Sequence, residues 1–122
     1  VERNEKQRAA GKALLLNAEE GEIIAVIPQF ALFEIAYVLD SFYKVPARRI
    51  ADAIRATLAY PGVIITDDCS WLRVIDNWPD PFDSITDAAI VGVALANNYD
   101  SVATFDQKLI RRMKPLGVRS YF

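Results

Sequence analysis

One stretch constrains the fold of this chain more than any other: Phe82 to Asp106, FDSITDAAIVGVALANNYDSVATFD. Its middle, Ala88 to Ala96, is apolar on every face, as an element buried on all sides must be. Asp83 and then Ser84 offer a helix N-terminus, since a short oxygen-bearing side chain accepts hydrogen bonds from the orphan N–H groups there. Asn97-Asn98 reads as the stop, and Ser101 to Phe105 as a short strand ending at Asp106. Asp83 and Asp87 are one helical turn apart and share a face. In an α/β unit, strand carboxyl ends and the following helix starts open on one edge of the sheet. Asp83, Asp87 and Asp106 are thereby drawn towards one point, where like charges repel unless a cation or a proton sits between them.

The 122 residues suit one domain with a proper core, and 52% hydrophobic with 25% charged is an ordinary globular composition. No apolar run approaches a membrane span, and nothing reads as a signal peptide. Cys69 is the only cysteine, which excludes an internal disulfide framework and favours a reducing, cytoplasmic setting. The absence of histidine removes Ser-His-Asp and Cys-His nucleophiles and most zinc sites. Carboxylates remain, and as hard oxygen ligands they suit Mg2+ or Mn2+. Net charge is −2, but its distribution is uneven. From Asp67 to Asp87 there are six Asp and one base, Arg73. From Gln107 to Phe122 there are five bases (Lys108, Arg111, Arg112, Lys114, Arg119) and no acid. An acidic focus beside a basic tail is compatible with a site that binds metal and then phosphate.

Val1 to Ala18 reads as a helix with an apolar side, closed by Glu19-Glu20-Gly21, and Glu22 to Ile27 as a buried strand. Pro28 fits the first turn of a helix running Gln29 to Phe42. Apolar side chains surround the one interior charge of that helix, Glu34. Two readings stand: a carboxylate that is protonated, paired or metal-bound, or one that points out between helices to meet an Arg. Ala47 to Ala59 is an amphipathic surface helix behind Pro46, and Val63 to Thr66 a second strand. Asp67 and Asp68 are placed to cap a helix around Cys69 to Trp78, in which Trp71 and Trp78 fall on one core-facing side. Gln107 to Met113 is a short basic helix and Val118 to Phe122 a final strand. Strands alternating with helical crossovers imply an α/β fold, a parallel sheet with helices on both faces.

Three pieces in this order, IPQFALFEIAYVL, DAAIVGVALA and VATFD, resemble the PIN domain family of the VapC toxin type, over essentially the whole chain. The resemblance implies a three-layer α/β/α nuclease fold with a central parallel sheet, whose acids hold Mg2+ or Mn2+ for RNA cleavage. It places Glu34, Asp87 and Asp106 on the family's acidic positions, Thr104 on the hydroxyl residue before the last acid, and Asp83 as an auxiliary metal ligand. The family opens with a strand ending in an acid. No counterpart precedes Val1, so that strand, central in the sheet, is expected to lie in sequence upstream of this chain. The resemblance further implies a toxin partnered by a cognate antitoxin, and a homodimer to which Phe30, Phe33, Tyr37 and Tyr43 contribute, the alternative being that all four lie in the monomer core.

On that reading the ions lower the pKa of a bound water, which attacks the phosphodiester in line, while Lys108, Arg111 and Arg112 guide the RNA backbone. Two rivals stand beside it. One is a catalytically inactive PIN-like module that binds RNA or protein. The other is an α/β domain performing Mg2+-dependent phosphate chemistry on small molecules.

Overall fold

A computed structural model describes residues 2–122 of the chain; the expected helix start at Val1 lies outside the described residues. The fold is α/β. In chain order it comprises α1 (Glu2–Glu19), β1 (Ala25–Pro28), α2 (Gln29–Ser41), α3 (Ala47–Leu58), β2 (Val63–Thr66), α4 (Trp71–Asn77), α5 (Ile85–Asn97) and α6 (Gln107–Met113), then a 3-10 turn over Lys114–Leu116. Two compact units result, Val1–Asp67 and Asp68–Phe122. Among the described residues no helix is long and apolar enough to cross a membrane.

The first unit is built on a parallel pair of strands, β1 and β2, with Ala25 opposite Val63 and Pro28 opposite Thr66. β1 begins later than the apolar run suggests. The Glu22 amide still donates to the Asn17 carbonyl at 2.8 Å, so Glu22 belongs to the closing turn of α1 and the ladder starts at Ala25. The ladder also runs on through Pro28, whose extended backbone then introduces α2. Gly62 fixes how α1 meets this pair. Its amide donates to the Ala18 carbonyl at 2.7 Å, and its carbonyl accepts from the Ala25 amide at 2.6 Å. A Cβ at this position would run into the carbonyl oxygens of Ala18 and Ile23, so only glycine lets the backbones approach so closely. α3 buries Ile50 and presents Arg48, Arg49, Asp52 and Arg55 to solvent, with Arg55 paired to Asp52 at 3.0 Å.

The second unit is organised around α5. Ala88, Val91 and Val93 of this helix are buried, as are Val74 of α4, Phe82 and Met113. α4 packs on α5, and a Cβ at Gly92 would meet the Arg73 Cβ at an ordinary contact distance of 3.6 Å. Asn98 ends α5 in the left-handed conformation (φ 54°), its amide bonding back to Ala94 and Leu95, a conformation Asn adopts more readily than most residues.

Several expectations for this unit are corrected. α5 is capped by Ser84, whose hydroxyl accepts from the Asp87 amide at 3.2 Å, and not by Asp83. Ser70, not Asp67 or Asp68, stands at the N-cap of α4. Trp71 and Trp78 are not core residues: they are 61% and 41% exposed. Trp78 has left the helix for an extended conformation, and its indole N–H reaches the Asp83 carbonyl at 3.3 Å. The two expected C-terminal strands reduce to one parallel bridge, Val102 to Ser120. Beside the bridge, the Ser120 hydroxyl donates to the Thr104 carbonyl at 3.3 Å.

Candidate acidic and basic site of the second unit

Asp87, Asp106, Asp83 and Thr104 all belong to the second unit, and each owes its place to a local rule. Asp87 lies in the first turn of α5, directly after the Ser84 cap, where negative charge is favoured by the helix dipole. Asp106 is itself the N-cap of α6, accepting from the Lys108 amide at 3.0 Å and the Leu109 amide at 3.2 Å. Both of these bonds fall on Oδ1. Thr104 fixes the approach to that cap, because its hydroxyl accepts from the Asp106 amide at 3.1 Å.

Asp83 is occupied otherwise. Lys108 Nζ donates to its Oδ2 at 2.6 Å, and Arg112 Nη1 lies 3.3 Å from its Oδ1. The spacing of the two bases explains the arrangement, since residues i and i+4 of α6 present one face. The Lys108 hydrogen bond, assisted by the charges of Lys108 and Arg112, holds the Asp83 carboxyl below the ordinary carboxylate range. With both oxygens committed to cations, Asp83 is a poor candidate for a metal ligand. Arg111 does not join the other two bases at Asp83 and makes no ion pair among the described residues.

Glu34 belongs to the first unit and is exposed on α2, so burial imposes no penalty on its charge. Among the described residues it makes no ion pair, so the Arg expected beside it is not found. Its helix displays Phe33 at 75%, Tyr37 at 62% and, just beyond, Tyr43 at 71% exposure, while Phe30 is half-buried. The alternative that all four aromatics lie in a monomer core is thereby set aside. A contact with no signal in the sequence closes the carboxyl end of the β1–β2 pair, where the Gln29 amide donates to the Asp67 carboxylate across 38 residues of chain.

Among the described residues, no group of three or more His, Cys, Asp or Glu stands ready to hold a metal ion. The donor chemistry of Asp87 and Asp106 suits a hard divalent cation, and the cap bonds of Asp106 leave its Oδ2 available. The fit is therefore one of kind and not of number.

The basic run holds more than the three residues assigned to RNA. Gly117, at φ 83°, reverses the chain after the 3-10 turn and brings Arg119 to a cleft that Lys114 also lines. The bridge to Val102 fixes this segment, with the Val102 amide donating to the Arg119 carbonyl and the Tyr121 amide to the Val102 carbonyl, each at 2.9 Å. The helical phase of α6 and the glycine at 117 were the signals that could have separated these bases. Comparison with family models, with curated proteins and with solved structures finds no match to this chain.

Proposed function

We propose that the chain is the PIN-like domain of a metal-dependent endoribonuclease, the toxin of a toxin–antitoxin pair acting in the cytoplasm. The observation that carries the reading is the placement of Asp87 and Asp106. Each stands at the start of a helix in the second unit, one directly behind a serine cap and the other serving as the cap. This agrees with the order of the sequence motifs, and the parallel β1–β2 pair agrees with a central sheet in a three-layer fold. Asp87 and Asp106 would hold Mg2+ or Mn2+, and the ion supplies an acidified water and charge stabilisation at the phosphoryl oxygens when bound. Thr104 orients Asp106 through the backbone amide at 3.1 Å. Arg111 is available to an RNA phosphate, whereas Lys108 and Arg112 reach one only by leaving Asp83. The exposed aromatics of α2 fit a homodimer contact of the kind interfaces favour.

The test is incubation of the full-length protein with single-stranded RNA, with Mg2+, with Mn2+ and with EDTA. Cleavage that requires a metal is expected, and no cleavage with either metal refutes the reading. The absence of a three-acid group among the described residues favours one second reading, a PIN-like module that binds RNA or protein without cutting. That reading predicts retained binding in the same experiment with no product. In that case the partner of the chain is a macromolecule and not a substrate.

A further inference from the structure

We infer that the C-terminal part of the second unit, from Arg111 to Phe122, is a track for single-stranded RNA in which cations hold phosphates and an exposed aromatic pair stacks bases. The inference deepens the ribonuclease reading and rests on it for the choice of RNA. Lys108 and Arg112 are committed to Asp83, but Arg111, Lys114 and Arg119 are exposed and have no ion pair among the described residues. Arg111 and Lys114 are three residues apart and so share one face at the end of α6. Lys114 and Arg119 then line a cleft of about 250 Å3 whose apolar surface comes from Ile110 and Val118. No acid interrupts the run from Gln107 to Phe122, so the whole segment is complementary to a polyanion.

The aromatic component follows from the bridge. Bonds on either side of Ser120 hold the segment extended against Val102, and alternate residues of an extended segment share a side, so Tyr121 follows Arg119 on the same side. Phe122 stacks on Phe105 with ring centroids 4.1 Å apart at 17°, and Tyr121 meets Phe122 edge-on at 5.3 Å. Tyr121 and Phe122 nevertheless remain 40% and 42% exposed. Rings buttressed by other rings yet open to solvent lose little freedom when a base stacks on them, and cations beside such rings are the composition of single-strand tracks. A duplex hides its base faces and can use only the cations. An acidic peptide would likewise leave the rings idle.

The test is anisotropy of a labelled short oligouridylate with the full chain across a salt series in EDTA, so that cleavage does not intervene. Lys114→Ala/Arg119→Ala should weaken binding and flatten the log–log salt slope by about 1.4, the release expected for two lost phosphate contacts on a single strand. Tyr121→Ala should weaken binding about 5- to 150-fold with the slope unchanged, the loss expected for one base–aromatic stack. Removing two exposed charges elsewhere, by Arg48→Ala/Arg49→Ala, should do neither. Single-stranded DNA of matched length reports how far the 2′-hydroxyl matters, and a blunt RNA duplex should bind without sensitivity to Tyr121. The inference is overturned if the oligouridylate does not bind, if Tyr121→Ala binds as wild type does, or if the α3 variant flattens the slope as much as the track variant. Binding that follows this pattern while no metal supports cleavage would refute the nuclease alone. Cleavage at unchanged KM in the track variants would refute the track alone.

Discussion

The same substitution at two glycines of the first unit should change stability in opposite directions. At Gly62 the Cβ of alanine meets two backbone carbonyl oxygens, those of Ala18 and Ile23, and neither can swing aside as a side chain could. Relief requires pulling the end of α1 away from the start of the β1–β2 pair. That movement stretches the Gly62 to Ala18 bond at 2.7 Å and the Ala25 to Gly62 bond at 2.6 Å. Each bond contributes about 0.5–1.5 kcal/mol net, and forcing a carbon into filled space costs about 1–3 kcal/mol. Gly62→Ala should therefore destabilise by roughly 2–6 kcal/mol. Gly11 lies inside α1 with nothing within 4 Å of a built Cβ. Gly11→Ala should stabilise by about 0.5–1 kcal/mol through helix propensity. Urea denaturation followed by circular dichroism measures both against wild type. A Gly62→Ala midpoint within error of wild type, or a Gly11→Ala loss as large as that of Gly62→Ala, would refute the account of the α1–β1–β2 junction.

Ser84→Ala should cost about 1 kcal/mol by uncapping α5, whereas Asp83→Ala leaves the cap in place; thermal melts in the reverse order would return the cap to Asp83. The Asp83 carboxyl, held low by Lys108 and Arg112, makes a contribution that is present above the ordinary carboxylate range and is lost as pH falls through its lowered pKa. A carboxyl-detected NMR titration should show its midpoint moving up towards the ordinary value in Lys108→Ala, and no movement would refute the pairing. Sedimentation at high concentration should show a dimer that Phe33→Glu dissociates, and a strictly monomeric wild type would remove the α2 interface.

What was legible in the sequence is what local chemistry decides. The apolar run of α5 called for an element buried on all sides, which is a helix, and the left-handed Asn98 ends it where the two asparagines stand. α2, α3, β2 and α6 likewise follow from period, proline placement and β-branching, with ends within a residue of the expected ones. What was not legible depends on which of two adequate groups wins. Asp83 and Ser84 are both competent caps, and the choice is decided from α6, where Lys108 and Arg112 claim the carboxylate. Val102 and Ser120 have strand character, yet they meet in one bridge and not in a ladder. Trp71 and Trp78 lie on one face only while the helix lasts, and it ends at Asn77. The basic run looked uniform because its division depends on the phase of a two-turn helix and on a reversal at Gly117.

The central claim is that Asp87 serves a metal-dependent cleavage of RNA. Asp87→Asn in the full-length protein removes one formal charge while keeping size and the Ser84 cap bond, which uses the residue 87 amide and not its side chain. The measurement is the single-turnover rate of cleavage of single-stranded RNA with Mn2+, wild type against Asp87→Asn, with binding followed in parallel. Losing a direct ligand costs at least a few kcal/mol of transition-state stabilisation, so the rate should fall by on the order of a hundredfold or more while binding persists. A variant that folds, binds and cleaves at the wild-type rate would contradict the account.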